Sequence, residues 1–163
     1  MLGVKAAVLH EGRLVQHCVT AECYRRPAST TVTQVFADPP MSLIQGQISD
    51  GQFQVDGLFK GALPAHMQAL APGHYTFGIR PHHLYVQAQD HLIALQGDVE
   101  VAEIAGSVTY VHLEVAGHEW VVEERGVHQV HPGERLEIHL DPTRLYAFDG
   151  ADYLAAAPDT ERG

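Results

Sequence analysis

Histidines and cysteines supply the nitrogen and sulfur atoms with which this chain could bind zinc. There are 12 histidines and 2 cysteines among 163 residues. Zinc binds about four nitrogen or sulfur ligands in a tetrahedral arrangement. His10, His17, Cys18 and Cys23 offer suitable atoms, but their spacing matches no recognised metal motif. Because most of the histidines fall at polar strand positions or in turns, we interpret them as solvated and predict no metal site.

A few arginines are the candidates for binding an anion. The run Gly78-Ile79-Arg80-Pro81 places an arginine where a predicted strand ends against a proline. The favoured interpretation is a rigid strand exit whose arginine pairs with a carboxylate, and the alternative is a contact with an anionic ligand. The candidate ligand-binding arginines of the β-rich region are Arg80, Arg125, Arg135 and Arg144.

The motifs of common catalytic chemistry are absent. The sequence contains neither the phosphate-binding loop GxxxxGK[ST] nor the nucleophile elbow GxSxG. His118 and Glu119 are not followed by the second histidine of the HExxH zinc motif. We therefore predict that this chain is not an enzyme and binds no cofactor. A metal-dependent enzyme that uses the histidines is the least favoured alternative, and elemental analysis for zinc and nickel would test it.

Composition excludes further classes of function. The formal net charge is −10, so a phosphate backbone would be repelled and we predict no nucleic-acid partner. No apolar run is long enough to cross a bilayer, and no signal peptide is recognised. Two cysteines are too few for a disulfide framework, so we predict reduced thiols in a cytosolic protein.

The first 37 residues show hairpin and helix signals. Alternating apolar residues around a turn at Gly12 predict a hairpin over residues 1–15. Two short helices are predicted between residues 20 and 37, separated by Pro27, with Ser29 or Thr30 as the cap of the second.

From Met41 onward the pattern is that of β structure. Short apolar runs alternate with glycine, proline and aspartate, which favours a sandwich or a small barrel. Trp120 is predicted in the core or at an interface, and residues 151–163 are predicted as a flexible tail. The predicted strands are 41–48, 52–59, 75–79, 83–87, 92–104, 107–115, 118–123, 134–140 and 144–148.

Several ordered motifs carry a resemblance to a known family. They are Val8-Leu9-His10-Glu11-Gly12-Arg13-Leu14, Tyr24-Arg25-Arg26-Pro27-Ala28, Phe36-Ala37-Asp38-Pro39-Pro40-Met41, Gly78-Ile79-Arg80-Pro81 with Leu84, and Leu140-Asp141-Pro142 through Asp149. In this order they resemble the C-terminal half of the ATP-binding subunits of ABC importers. The most similar group is the maltose type, which serves sugars, polyols and glycerol phosphate. His82 departs from the family, which usually carries an acidic residue at this position, so any contact inferred from that acid is in doubt.

The resemblance implies a fold and a domain organisation. It implies a mainly β chain, in which an OB-fold-like β-barrel, the TOBE domain, follows a short hairpin and two short helices. Residues 1–37 would be the C-terminal tail of a nucleotide-binding domain, and residues 38–150 the regulatory TOBE domain. The phosphate loop, the signature sequence and the catalytic glutamate would precede this chain, so ATP and Mg²⁺ would belong to the full-length subunit.

The resemblance also implies a function and partners. The chain would be a regulatory and dimerisation domain that forms a homodimer through its β-domain. The full-length subunit would contact membrane subunits from the cytoplasmic side of the inner membrane. The hairpin, without the sheet it would extend, would be poorly ordered or add to another chain's sheet. The alternative is an OB-like domain that senses a small oxyanion or sugar phosphate.

Overall fold

The computed structural model describes residues 5–55 and 57–159 and is mainly β, as predicted. Two sheets form a nearly closed, barrel-like arrangement that is consistent with the OB-like fold. An N-terminal hairpin and two short helices precede them. None of the helices in the described part of the chain has the length and apolar character that a membrane span requires.

The N-terminal hairpin and helices form a small cluster of their own. Strands β1 (Lys5–His10) and β2 (Arg13–Val19) pair in an antiparallel two-stranded sheet. Gly12 adopts a φ of 74° in the turn between them, a conformation that glycine accepts without strain. Helix α1 (Thr20–Arg25) follows at once, and helix α2 (Thr30–Phe36) begins after the cap residue Ser29.

Buried side chains hold this N-terminal cluster together. Val8, Cys23 and Val32 pack against one another from β1, α1 and α2. The Ser29 side chain accepts a hydrogen bond from the Val32 backbone N–H at 3.4 Å, which confirms the predicted helix cap. The predicted hairpin and both predicted helices are therefore present.

The structure brings the sulfur atoms of Cys18 and Cys23 into direct contact, and the prediction of reduced thiols in the cell stays a prediction. The Cα atoms of the two residues are 5.8 Å apart, a separation that a disulfide can span. This contact ties β2 to α1. A count of cysteines cannot show that the chain reverses between positions 18 and 23 and brings both sulfur atoms together.

The first sheet has six antiparallel strands in the order β13-β12-β6-β3-β4-β5. The predicted single strand over 52–59 is wrong, because the chain reverses at Gly57 and forms two paired strands there. The strands are β3 (Ser42–Ser49), β4 (Gln52–Val55), β5 (Phe59–Ala62), β6 (Gly73–Ile79), β12 (Tyr146–Phe148) and β13 (Leu154–Ala156).

The second sheet has five antiparallel strands in the order β10-β9-β8-β11-β7. A tight turn at Ala116 and Gly117 joins β9 to β10. The strands are β7 (Leu84–Tyr85), β8 (Ile93–Ala105), β9 (Val108–Val115), β10 (His118–Arg125) and β11 (Arg135–Leu140).

Both sheets contribute to one hydrophobic core. Phe53 and Phe77 of the first sheet belong to the same buried cluster as Leu113 and Trp120 of the second. Trp120 is 1% exposed, so its predicted place in the core is confirmed. The Val121 backbone N–H also donates to the Ser42 hydroxyl at 3.3 Å, which joins β10 to β3.

Two further expectations differ from the structure. Residues 154–156, within the predicted flexible tail, form β13, because β12 offers them a free edge and Leu154 N–H donates to the Ala28 carbonyl at 3.0 Å. Residues 160–163 of that tail and residues 1–4 of the hairpin prediction lie outside the described residues.

His139 is 5% exposed rather than solvated, since β11 lies between β8 and β7 at this position.

Candidate functional site

Arg80 lies at the junction between the β-domain and the N-terminal cluster. It follows the last residue of β6, and Pro81 begins a short 3₁₀ turn over Pro81–His83 immediately afterwards. Proline restricts both its own backbone and that of the residue before it, so Arg80 is held in an extended conformation. The predicted rigid strand exit is therefore present.

Among the described residues, Arg80 contacts aromatic rings and a backbone carbonyl rather than the carboxylate that the sequence favoured. The side chain is 3% exposed and donates a hydrogen bond to the Tyr24 backbone carbonyl of α1. Its guanidinium carbon lies 3.7 Å from the centroid of the Tyr24 ring and 5.3 Å from that of Tyr146. Stacking on two aromatic rings stabilises a weakly hydrated guanidinium in a buried position. Arg80 thus links α1, β6 and β12 through one side chain.

A cleft of about 270 Å³ opens beside this arginine, and we call it the arginine cleft. Its aromatic lining consists of Tyr24 and Tyr146. Among the described residues of the lining, three arginines and two histidines outnumber one carboxylate. These ionisable residues are Arg25, Arg80, Arg144, His82, His83 and Asp159.

The surroundings of the cleft lower the pKa of His83. Burial, together with the neighbouring His82, Arg144 and Arg80, lowers the pKa of His83 from 6.5 to about 4, and Asp141 opposes this shift. The Asp141 carboxylate also accepts hydrogen bonds from the Thr143 backbone N–H and hydroxyl, at 3.0 and 2.7 Å. His83 is therefore neutral near pH 7 in a cationic surrounding.

Two opposing effects act on the pKa of Tyr24 in the same cleft. Burial raises the pKa of Tyr24, and the positive charge of Arg80 acts in the opposite direction. Tyr146 and Glu123 add smaller contributions that also raise it. The phenol therefore stays protonated near neutral pH and presents its ring to the guanidinium.

The structure brings two of the four candidate arginines together. Arg80 and Arg144 both line the cleft. Arg125 ends β10 and Arg135 begins β11, and both are exposed outside this lining. Sequence reasoning did not include Tyr24 and Arg25 in the site, although both belong to the Tyr24-Arg25-Arg26-Pro27 motif.

The histidines show no arrangement typical of a metal centre. Within residues 5–55 and 57–159, no three side chains among His, Cys, Asp and Glu are grouped as metal ligands would be. His112 instead lies between two carboxylates, with its ring nitrogens 3.2 Å from Glu103 and 3.3 Å from Glu119. The absence of a bound metal stays a prediction.

Comparison with known proteins agrees with this architecture. The TOBE domain family matches residues 77–148, which run from β6 to β12 and include Arg80 and Arg144. The chain contains a TOBE domain. The similarity extends beyond the TOBE domain, over 91–94% of the chain, to the C-terminal region of ABC importer ATP-binding subunits.

Three relatives illustrate this homology. The sn-glycerol-3-phosphate import ATP-binding protein UgpC of Ralstonia nicotianae is 34% identical over 156 residues, which cover 91% of this chain and 42% of UgpC. UgpC of Chromobacterium violaceum is 32% identical over 152 residues, covering 91% of this chain and 40% of that protein. The trehalose/maltose import ATP-binding protein MalK of Thermococcus litoralis is 30% identical over 160 residues, covering 91% and 43%. This chain therefore spans less than half the length of these curated relatives.

Proposed function

We propose that this chain is the regulatory and dimerisation part of the ATP-binding subunit of an ABC importer for sugars or polyols. The observation that carries the proposal is the continuous similarity to such subunits over 91% of the chain, which includes the N-terminal cluster as well as the TOBE domain. The names of the relatives favour glycerol phosphate or a disaccharide as the class of solute. The subunit would work with membrane subunits from the cytoplasmic side of the inner membrane.

The described residues do not fit ATP. Helices α1 and α2 have six and seven residues, and neither follows a glycine-rich loop that could surround phosphates. In this proposal, nucleotide and Mg²⁺ bind to a part of the subunit outside this chain. The role of this chain is then to hold two subunits together while their ATPase domains open and close. A persistent contact makes each closure an intramolecular event, which raises the effective concentration of the two domains.

An exposed apolar surface supports a homodimer through the β-domain. Ile104 near the end of β8 is 57% exposed, and Val127 after β10 is 62% exposed. Both lie next to Thr109, which pairs with Ile104 across the sheet and bonds to the backbone of Gly126 and His128. We call Ile104 and Val127 the hairpin-tip patch. A stable dimer would cover it as part of about 1,000 Å² or more of buried surface.

Sedimentation velocity tests this homodimer. We expect the wild-type chain to sediment as a dimer at micromolar concentration and Ile104→Glu to weaken the association about tenfold or more, because a carboxylate would be buried at the contact. Val35→Glu is the matched control, since Val35 is 56% exposed but lies in α2. A monomeric wild-type chain, or equal weakening by both substitutions, would contradict a dimer through the patch.

A small-ligand sensor is the second candidate function. The convergence of Arg80 and Arg144 in one cleft favours it, because guanidinium groups recognise phosphate and other oxyanions. The two functions are compatible, since the hairpin-tip patch and the arginine cleft share no residue.

A further inference from the structure

The arginine cleft lies where three parts of the chain meet. Arg25 comes from α1, Arg80 and His83 from the end of β6 and the following turn, and Arg144 from the 3₁₀ turn before β12. A molecule bound there would contact the N-terminal cluster and the β-domain at once. It would therefore stabilise their mutual arrangement.

The charge of the cleft is opposite to that of the whole chain. The chain carries a formal net charge of −10 and only 10 lysine and arginine residues. Three of these ten, Arg25, Arg80 and Arg144, line one cleft of about 270 Å³, and among the described residues Asp159 is the one carboxylate in the lining. A lining of this composition has a positive potential, which attracts an anion.

Two buried nitrogen atoms of residues that line the cleft lack a hydrogen-bond partner. Within the described chain these are Arg80 Nε and His83 Nδ1. A buried polar group without a partner is destabilising, more so when it carries charge. An oxyanion in the cleft would offer several acceptor oxygens at once to the arginine side chains of the lining.

We propose that the arginine cleft binds a small tetrahedral oxyanion of the phosphate class, either inorganic phosphate or the phosphate group of a small monoester, through Arg25, Arg80 and Arg144. The proposal deepens the second candidate function and does not depend on the homodimer. Guanidinium groups bind phosphate through two parallel hydrogen bonds, which matches the chemistry of three converging arginines. The volume of the cleft suits a phosphate group with a short organic substituent.

Calorimetry of the 163-residue chain tests the site with sodium phosphate and with glycerol 3-phosphate, at constant ionic strength. We expect saturable binding of one anion per chain. Arg144→Gln and Arg25→Gln should each weaken it about tenfold, through the loss of a charge-assisted hydrogen bond. The matched controls are Arg26→Gln and Arg125→Gln, because both arginines are exposed and lie outside the cleft lining. Tighter binding of the monoester than of inorganic phosphate would identify the monoester as the better ligand, and the reverse would identify phosphate.

A second variant and a second measurement keep the test independent of folding defects. His82→Glu places a carboxylate in the lining and should abolish anion binding while the circular dichroism spectrum stays that of the wild type. Phosphate should also raise the pKa of His83 from about 4, which proton NMR of the imidazole ring measures.

Absence of saturable binding, or equal losses in the cleft variants and the controls, would overturn the site. Neither result would affect the proposed homodimer, whose test is sedimentation. A wild-type chain that sediments as a monomer and still binds phosphate would in turn reject the dimer alone.

Discussion

Single residues at the arginine cleft show how burial decides chemistry. Arg80 is almost wholly buried, and the two tyrosine rings and one backbone carbonyl around it take the place of water. His83, close to it, loses its proton more easily because burial and positive neighbours disfavour the imidazolium form. Both effects require a folded chain, since each residue would be hydrated in an unfolded one.

The lowered pKa of His83 predicts that acid destabilises the protein. The unfolded chain binds a proton at this ring with a pKa near 6.5, while the folded chain binds it only near about 4. Between these values the unfolded state holds more protons, so stability falls as the pH falls. We expect His83 to contribute a loss of about 1 kcal/mol between about pH 7 and about pH 5, after allowance for the partial exposure of the ring.

Urea unfolding at the two pH values measures this loss. His83→Gln should remove about 1 kcal/mol of the pH dependence, because the glutamine side chain does not titrate. His91→Gln is the control, since His91 is exposed in a turn. If both variants keep the full pH dependence of the wild type, His83 is not the group responsible. The other groups that act on this ring are His82, Arg144, Arg80 and Asp141.

At the scale of elements, the close approach of β3 to β4 depends on a glycine. A Cβ atom at Gly46 would lie 2.5 Å from the Gln54 backbone oxygen and 2.7 Å from the Phe77 ring. Contacts this short between heavy atoms are strongly repulsive, and a backbone carbonyl cannot rotate away as a side chain can. The first sheet therefore requires glycine at this position.

Gly46→Ala should destabilise the protein by about 1–3 kcal/mol, the usual cost of overpacking in a well-packed core. Chemical denaturation monitored by Trp120 fluorescence measures the change, because that side chain is buried in the shared core. Gly150→Ala is the control, since no atom lies within 4 Å of a Cβ there. An unchanged stability of Gly46→Ala would show that β3 and β4 are farther apart than described.

At the scale of the whole molecule, one core and one junction join the parts of the chain. Both sheets contribute to the same buried cluster, and Arg80 and Tyr24 connect that unit to the N-terminal cluster. Backbone hydrogen bonds from Thr30 to Asp152 and from Leu154 to Ala28 add a second connection. Changes at the junction would therefore reach the β-domain directly.

The proposed function, in which ATP binds to a part of the subunit outside this chain, predicts that this chain alone does not hydrolyse ATP. Hydrolysis requires a loop that holds the phosphates and a residue that orients the attacking water, and the sequence contains no phosphate-binding loop. Release of inorganic phosphate from ATP and Mg²⁺ should equal that of a blank without protein. ATP hydrolysis that co-purifies with the chain and saturates with ATP would contradict the proposed function.

Local patterns in the sequence determined much of the fold. The turns at Gly12 and at Ala116-Gly117, the cap at Ser29 and the alternating strands were predictable, because each depends on neighbouring residues. The missing phosphate loop was equally evident. Errors arose where distant segments decide the outcome, as in the strand that reverses at Gly57 and the tail that pairs as β13.

The composition of the arginine cleft was decided by the tertiary structure alone. Tyr24 and Arg80 are separated by 56 positions, and only the folded chain places the ring and the carbonyl of the one against the guanidinium of the other. The sequence identified Arg80 and Arg144 as candidates but could not separate them from Arg125, since all are arginines at strand ends or turns. Burial and proximity distinguish them, and both arise from contacts between residues that are far apart in the chain.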